Sequence, residues 1–282
     1  MTLLASKSAS ACATCAAGDP TLTASGSEKP FESRKRLSLD TRATTARAAD
    51  VQVWEERLEL RADVAPTSTV LITAALPTIH RSIETLSGAR SNEVTLGDAE
   101  IRASAVLVDS GISNVRRTIS IFGGVKLPTA PIQTDARGRQ LPVVLQPGCG
   151  SIGPSLGASF VASHAPLTFV ASTLFYVPFQ VRDGPHSGDS WRTSLTLQMQ
   201  PAHSKIATRF GASTRLDQAG LQENQETDPN SGGLVVYVSG EVLVSPTEDF
   251  VVGAGFYAPA IQALQGSEHE STIASLSLSY DF

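Results

Sequence analysis

The sequence predicts an all-β protein: a transmembrane antiparallel β-barrel of about twelve strands, preceded by a short disordered N-terminal extension. Two patterns predict this fold. Apolar and polar residues alternate with a period of two in many segments, which sorts them onto the two faces of a strand. The connections between these segments are alternately short and long, as in barrels with short turns at one membrane surface and longer loops at the other.

The composition narrows the class of protein. Only 17% of the 282 residues are charged, and 22 glycines and 16 prolines interrupt the chain, which fits many short strands. The mean hydropathy is +0.01, and no apolar run reaches the roughly 18 residues of a transmembrane helix. The net charge of −5 argues against a nucleic acid as partner.

The first 30 residues are predicted to be a leader remnant or a flexible periplasmic extension, and residues 31–282 to form the barrel. Residues 1–11 contain Lys7, a short apolar start and an A-x-A ending, which resemble the tail of a secretory signal. A disordered terminus of small residues explains the same composition. Both interpretations remain open at this point.

Cys12 and Cys15 have the C-x-x-C spacing of redox pairs and half zinc sites. No second such pair follows, and Ala16 stands where a covalent haem site needs histidine. The pair therefore predicts a small disulfide or a link to a periplasmic partner. Removal with the leader, or two inert cysteines, are the alternatives.

The last predicted strand shows the alternation most clearly. One face carries mainly apolar and aromatic residues and the other mainly serines: Thr272, Ala274, Leu276, Leu278, Tyr280 and Phe282 against Ile273, Ser275, Ser277, Ser279 and Asp281. The same test predicts strands over approximately residues 33–44, 51–63, 67–81, 97–109, 115–129, 150–163, 166–181, 190–201, 204–216, 232–245, 248–259 and 270–282. Most have the length that crosses a bilayer at a tilt.

The second strand fits this pattern least well. Glu55, Glu56 and Arg57 break the alternation between Val53 and Leu58, and a β-bulge there would restore it. The predicted short connections are residues 64–66, 110–114, 164–165, 202–203 and 246–247, and the long ones include 82–96, 130–149 and 217–231. An even number of strands places both termini in the periplasm.

Aromatic residues near the predicted strand ends favour a membrane barrel over a soluble β-sandwich, because membrane barrels carry aromatic girdles at both interfaces. These residues are Trp54, Phe175, Phe179, Trp191, Phe250, Phe256, Tyr280 and Phe282. Charged residues on the opposite face point the same way, since a soluble core could not bury so many of them. The predicted lumen lining, a possible solute path, consists of Arg102, Arg116, Lys126, Arg192, Arg209, Arg215, Glu59, Asp98, Glu100 and Glu241.

The C-terminal segment Leu276-Ser277-Leu278-Ser279-Tyr280-Asp281-Phe282 resembles the strand by which Gram-negative outer-membrane proteins are handed to the barrel-assembly machinery. The resemblance implies that Tyr280 and Phe282 form the assembly signal. It also implies a location in the bacterial outer membrane, with membrane lipid and the assembly machinery as partners.

Three further segments carry a second resemblance. In order they are Leu96-Gly97-Asp98-Ala99-Glu100, Gly124-Val125-Lys126-Leu127-Pro128-Thr129 and Leu145-Gln146-Pro147-Gly148-Cys149-Gly150-Ser151. They are similar to the GD, K-L-P-T-G and L-Q-P-G-T-G-S segments of the outer-membrane transporter family named for the meta-pathway of phenol degradation. Here Ala130 and Cys149 replace a glycine and a threonine of that pattern.

The physical interpretation of these segments is a strand that proline ends after Leu127 and another that starts after Pro147, because proline donates nothing to a β-ladder. Gly148 and Gly150 are free to adopt positive φ angles there. On this interpretation the segments shape a loop and touch no solute.

No catalytic or metal site is predicted. The five histidines never recur at spacings of two or four residues, and neither a G-x-S-x-G motif nor a phosphate-binding loop occurs. We therefore expect a non-enzyme that needs no cofactor, a passive channel or transporter for small solutes. A structural barrel that anchors a periplasmic partner, such as an electron carrier, is the first alternative, and a soluble β-sandwich binding module is the second.

One selectivity is also expected. Alternation places Arg192, Arg209 and Arg215 on the lumen face of two neighbouring strands, where Glu241 could balance only one of them. The sequence therefore predicts a locally positive stretch that favours anionic solutes.

Overall fold

The computed structural model describes residues 35–48, 51–85, 90–112, 115–134, 146–148, 150–181, 187–202, 204–221, 226–227, 231–266 and 269–282. In these ranges the chain forms fifteen β-strands: β1 (Lys35–Ala48), β2 (Val51–Thr67), β3 (Val70–Thr85), β4 (Arg90–Leu96), β5 (Ala99–Ile112), β6 (Val115–Leu127), β7 (Ser151–His164), β8 (Leu167–Tyr176), β9 (Phe179–Gln180), β10 (Ser190–Met199), β11 (Ile206–Asp217), β12 (Gly233–Val244), β13 (Phe250–Leu264), β14 (His269–Glu270) and β15 (Ile273–Asp281). Within the same ranges no helix is long and apolar enough to cross a membrane.

Twelve of these strands close into one antiparallel barrel, in the order β1, β2, β3, β5, β6, β7, β8, β10, β11, β12, β13 and β15. β1 pairs with β2 on one side and with β15 on the other. The short strands β4, β9 and β14 extend the pairing of β3, β7 and β1. All twelve predicted strands are confirmed, and the β-sandwich alternative is wrong because the sheet closes on itself.

The two faces of the wall differ in the way that the alternation predicts. Leu60, Leu156 and Leu195 point outward and are 47%, 67% and 48% exposed. In contrast, inward residues such as Arg36, Glu55 and many serines are buried. An apolar outer face around a polar interior is the arrangement of a barrel whose solvent is lipid.

The bulge predicted in β2 is wrong. β2 pairs with β1 without interruption from Val51 to Val64, and its irregularity with β3 comes only between Val64 and Thr67. Val53 and Glu55 are buried in the lumen while Glu56 and Leu58 face outward. The alternation is therefore intact, and the apolar Val53 is a lumen residue.

The long loop predicted at residues 82–96 is also wrong, because β3 continues to Thr85 and β4 begins at Arg90. β3 and β4 pair up to the partners Thr78 and Leu96. The register then shifts by one residue, so that Ala75 pairs with Glu100 of β5. Pro77 lies at this shift, and its carbonyl accepts a hydrogen bond from Gly97 N at 2.8 Å. Because proline has no N–H to donate, the β-bulge falls where the ladder lacks a donor.

The connections define two ends of the barrel. We call the end with the connections 68–69, 113–114 and 165–166 the short-turn end, and the opposite end, with 128–150 and 218–232, the long-loop end. β1 begins at the short-turn end, where Lys35 O accepts a hydrogen bond of 2.9 Å from Phe282 N. The predicted alternation of short and long connections is confirmed apart from residues 82–96 and from the first connection, residues 49–50, which is short although it lies at the long-loop end.

Aromatic side chains mark both ends of the outer face. Trp191 and Phe175 are direct cross-strand neighbours near the long-loop end, and Phe250 and Tyr280 are neighbours near the short-turn end. Phe256 is an exception to the prediction. It lies in the middle of β13, opposite Gly240, and its ring covers that glycine.

Candidate functional site

The candidate site is the barrel lumen. Most of the charged residues predicted to line it point inward from β-strands: Glu59, Glu100, Arg102, Lys126, Arg192, Arg209, Arg215 and Glu241. Asp98 is buried within the β4–β5 bulge. Arg116 lies at the short-turn end, half exposed and paired with Asp109 at 2.6 Å. Cys12 and Cys15 lie outside the described residues.

One part of the lumen wall, formed by β1, β2 and β3, is dense in ion pairs. Arg81 Nε lies 2.6 Å from Glu55 Oε2, and Glu55 is 1% exposed. Arg61 pairs with Asp40 at 3.2 Å. These contacts run sideways between neighbouring strands, so the long side chains lie along the wall. We call this part of the lumen the ion-pair wall.

The sequence prediction missed most of the ion-pair wall. The charged residues left out include Arg36, Asp40, Arg42, Glu55, Arg57 and Arg81, whereas Arg61 was expected on the inner face. The assumed bulge in β2 hid some of them, because a one-residue shift reverses the face of every later side chain. The unbroken alternation of Glu55, Arg57, Glu59 and Arg61 was the signal that could have found them.

The prediction of a positive stretch on β10 and β11 is wrong, because carboxylates pair with its arginines. Arg209 contacts Glu241 at 2.9 Å and donates to Gln198 at 2.8 Å. Arg215 contacts Asp217 at 2.7 Å. It also binds Glu270 of β14. Three carboxylates thus accompany the three arginines, counting Arg192, and this part of the lumen is close to neutral.

Positive and negative side chains are balanced throughout the part of the lumen that the structure describes. Among the described wall residues that face inward and are at most partly exposed, positive and negative side chains are equal in number: Arg36, Arg42, Arg57, Arg61, Arg81, Arg102, Lys126, Arg192, Arg209 and Arg215 against Asp40, Glu55, Glu59, Asp63, Asp98, Glu100, Asp217, Glu241, Glu270 and Asp281. A lumen of this composition produces little net field for ions of either sign.

The opposite part of the lumen wall carries small side chains. A row of directly paired serines crosses five neighbouring strands, from β6 to β11: Ser120, Ser159, Ser172, Ser194 and Ser213. Ser172 and Ser194 are linked by a hydrogen bond of 2.7 Å. Ser159 and Ser172 remain partly exposed although they face the inside of a closed barrel. The lumen therefore contains a space beside them that water can enter.

Between these two parts, Glu100 and Arg102 of β5 are among the more exposed charges of the lumen. Their side chains form an ion pair and are 23% and 21% exposed. The guanidinium carbon of Arg102 lies 5.5 Å from the centre of the Phe122 ring on β6, a cation–π contact. Arg102 is thus held against the wall by Glu100 and Phe122 together.

The three segments of the family resemblance meet in one cluster at the long-loop end. Ala130 N donates to Asp98 Oδ1 at 3.1 Å, and Thr129 Oγ1 donates to Gly97 O at 2.9 Å. The Gln146 amide accepts from Gln133 N and donates to Gln133 O, both at 2.9 Å. The first two contacts tie the start of the connection 128–150 to the bulge at Gly97 and Asp98, and the Gln146 bonds hold the end of the connection against its start.

The two glycines of the third segment act differently. Gly150 adopts a positive φ of 61°, which confirms the predicted freedom of its backbone. Gly148 is required for space, because a Cβ there would lie 2.5 Å from Ala130 Cβ and overlap the Asp98 carboxylate. β6 ends at Leu127, immediately before Pro128, as predicted.

The connection between β13 and β15 is held in the same way, by a glutamine side chain that binds a backbone N–H and C=O. Gln262 on the inner face of β13 donates to Glu270 O at 2.9 Å and accepts from Glu270 N at 2.8 Å. The side-chain amide makes the two hydrogen bonds that a neighbouring strand would make and holds β14 in place at the lumen. Within the described residues, no group of three or more His, Cys, Asp or Glu could hold a metal ion.

Comparison with solved structures finds the same architecture. An outer membrane channel from Pseudomonas putida F1 superposes with a TM-score of 0.66 at 11% sequence identity, over 92% of this chain and 98% of that chain. The transport unit of the autotransporter AIDA-I from Escherichia coli gives 0.55 at 8% identity, over 96% and 97%. The sequence matches no protein-family model and no curated protein. At these identities the likeness shows the fold, and the chain shares the closed antiparallel β-barrel of these proteins.

Proposed function

We propose that the protein is a channel of the bacterial outer membrane for the passive passage of small solutes. The observation that carries this proposal is the partial exposure of Ser159 and Ser172 inside a closed barrel. A sealed lumen would bury them, whereas a passage keeps them in contact with water. The structural barrel that anchors a periplasmic partner is less favoured for this reason.

The outer face supports the membrane location. Leucine, isoleucine, valine and phenylalanine cover it between the two sets of aromatic residues, and lipid is the solvent in which such a surface is stable. The exposed ring of Phe282, stacked with Tyr280 at 6.2 Å, is accessible to the barrel-assembly machinery. We propose that these two residues form its recognition signal.

The clustering of Gly97–Asp98, Thr129–Ala130 and Gln146–Gly148 supports membership of the outer-membrane transporter family named for the meta-pathway of phenol degradation. Segments far apart in sequence make specific contacts with one another, the third through Gly148 beside Asp98 and Ala130. A shared structural role explains why they occur together. We propose that this role is to fix the connection 128–150 at the mouth of the channel.

Planar-bilayer recording of the purified protein tests the channel. We expect steps of single-channel conductance from the wild type and a strong decrease for Ser159→Phe, whose ring would fill the passage. Ala158→Phe is the matched control, because Ala158 is the next residue of β7 and faces outward. Folding of both variants is checked by the mobility shift of heated against unheated protein in a gel.

Three results separate the candidates. A folded wild type without conductance steps would favour the structural barrel. Equal losses for Ser159→Phe and Ala158→Phe would mean that the passage does not follow the serine row. Selective loss for Ser159→Phe supports the channel.

A further inference from the structure

Two aromatic rings cross onto β7 from its two neighbours. Phe122 points inward from β6 and is the direct cross-strand partner of Gly157. Tyr176 points inward from β8 and is the direct partner of Ser155, two residues from Gly153. Both glycines are on the inner face of β7, so the rings meet positions without side chains.

The space above Gly157 is occupied by the Phe122 ring. A Cβ added to Gly157 would lie 2.5 Å from Phe122 Cε2 and would also overlap the carbonyl oxygen of Thr173. Side chains on a strand normally stand roughly perpendicular to the sheet. The outer edge of this ring instead lies just above the backbone of the next strand, with Arg102 beside it.

The Tyr176 ring lies in the same way over Gly153. A Cβ added to Gly153 would overlap the Cε2, Cζ and Oη atoms of Tyr176, and no other heavy atom is among its three nearest neighbours. Gly153 is buried beneath this ring. The obstacle to a side chain at residue 153 is therefore the far end of one rotatable side chain, which can move.

We propose that Gly153 and Gly157 set the width of the passage, by letting the rings of Tyr176 and Phe122 lie along the wall instead of projecting into the lumen. The proposal rests on the proposed channel function and identifies residues that determine its size limit. The two rings lie on the same side of the lumen as the serine row, at a position nearer the long-loop end. A solute that enters from that end meets Tyr176 before Ser159.

The charge balance of the lumen gives the proposal a second consequence. Because the inward cations and carboxylates that are at most partly exposed are equal in number among the residues that the structure describes, selection by charge is weak and size is the main filter. Ring position then decides which solutes pass. A single added methyl group at Gly153 should change the size limit more than the loss of one lumen charge does.

The experiment compares three variants with the wild type in planar bilayers and in liposome-swelling assays with sugars of increasing size. Gly153→Ala should lower the single-channel conductance about twofold and exclude the largest permeant sugar, because the Tyr176 ring swings inward. Gly153→Ala combined with Tyr176→Ala should restore the passage. Gly123→Ala is the control, since Gly123 faces outward and a Cβ there finds its nearest atom at 3.4 Å.

A folded Gly153→Ala protein with wild-type conductance and size limit would overturn the inference. So would a double variant that stays as narrow as the single one. Gly157→Ala is unsuitable as the main test, because its clash with Thr173 O involves the backbone.

A labelling experiment separates this inference from the channel itself. In a variant without the three native cysteines, Ser155→Cys is labelled with a small and a bulky thiol reagent. Gly153→Ala should slow the bulky reagent several-fold relative to the small one, whether or not the barrel conducts. An unchanged ratio would overturn the inference, whereas a wild type without conductance would overturn only the channel.

Discussion

Arg215 of β11 binds the carboxylate of Glu270 on β14, although β12 and β13 lie between the two strands around the wall. The contact therefore reaches across part of the lumen. Both side chains are 4% exposed, and Gln262 holds the Glu270 backbone in place. This pair ties the connection between β13 and β15 to β11, two strands beyond β13 in the wall.

Removal of Glu270 should destabilise the barrel. Glu270→Ala leaves the buried Arg215 guanidinium group without this carboxylate, although Asp217 still contacts it, and the loss of one member of a buried pair costs about 3 kcal/mol. Urea unfolding in lipid vesicles measures the change. Glu270→Ala with Arg215→Met should recover most of the loss, and strictly additive effects of the two substitutions would contradict the pairing.

Charge on the outer face should be far less tolerated than charge on the inner face. Leu195 faces outward in the middle of β10 and is 48% exposed, so Leu195→Arg should cost about 2 to 4 kcal/mol near the middle of the bilayer. The neighbouring Thr196 faces inward, and Thr196→Arg should cost much less. The same unfolding assay compares them, and equal costs would mean that the assigned faces are wrong.

Deletion of Phe282, or Phe282→Asp, should impair assembly more than stability. The ring is 68% exposed, so few core contacts are lost with it. We expect low levels of the variant in the outer membrane of a Gram-negative host and near-normal stability after refolding in detergent. Normal membrane levels would remove Phe282 from the assembly signal.

Arg209 and Glu241 allow a test of the charge balance. Because the two side chains compensate each other at 2.9 Å, Arg209→Gln should shift the reversal potential in a salt gradient toward cations, and Glu241→Gln should shift it toward anions. The double variant should return close to the wild type, which we expect to be weakly selective. Shifts of the same sign, or no shift in either folded variant, would show that these residues lie away from the ion path.

The twelve strands and their two faces could be predicted because the period of a strand is local. Leu276 and Ser277 lie on opposite faces because they are consecutive residues of a strand, and this does not depend on the rest of the chain. The error in β2 arose where the prediction departed from this rule. The run Glu55-Glu56-Arg57 suggested a bulge, yet alternation continues with Val53 inside, because the lumen tolerates an apolar residue among ion pairs.

The contacts within the lumen depended on closure of the barrel. Closure fixes the stagger between strands, and that stagger decides that Arg215 meets Glu270. Their separation of 55 residues in sequence contains no local signal for the contact. The predicted positive stretch failed for this reason, since Glu270 lies outside the strands next to Arg215.

The family resemblance identified the segments Gly97-Asp98 and Gln146-Pro147-Gly148 but not their contact. Their sequence determined a bulge and a turn, because proline and glycine restrict or free the backbone at single residues. Only the tertiary structure brought them together, with Gly148 leaving room for the Asp98 carboxylate. In the same way the inward position of Phe122 follows from alternation, whereas the position of its ring over Gly157 follows from the packing of β6 against β7.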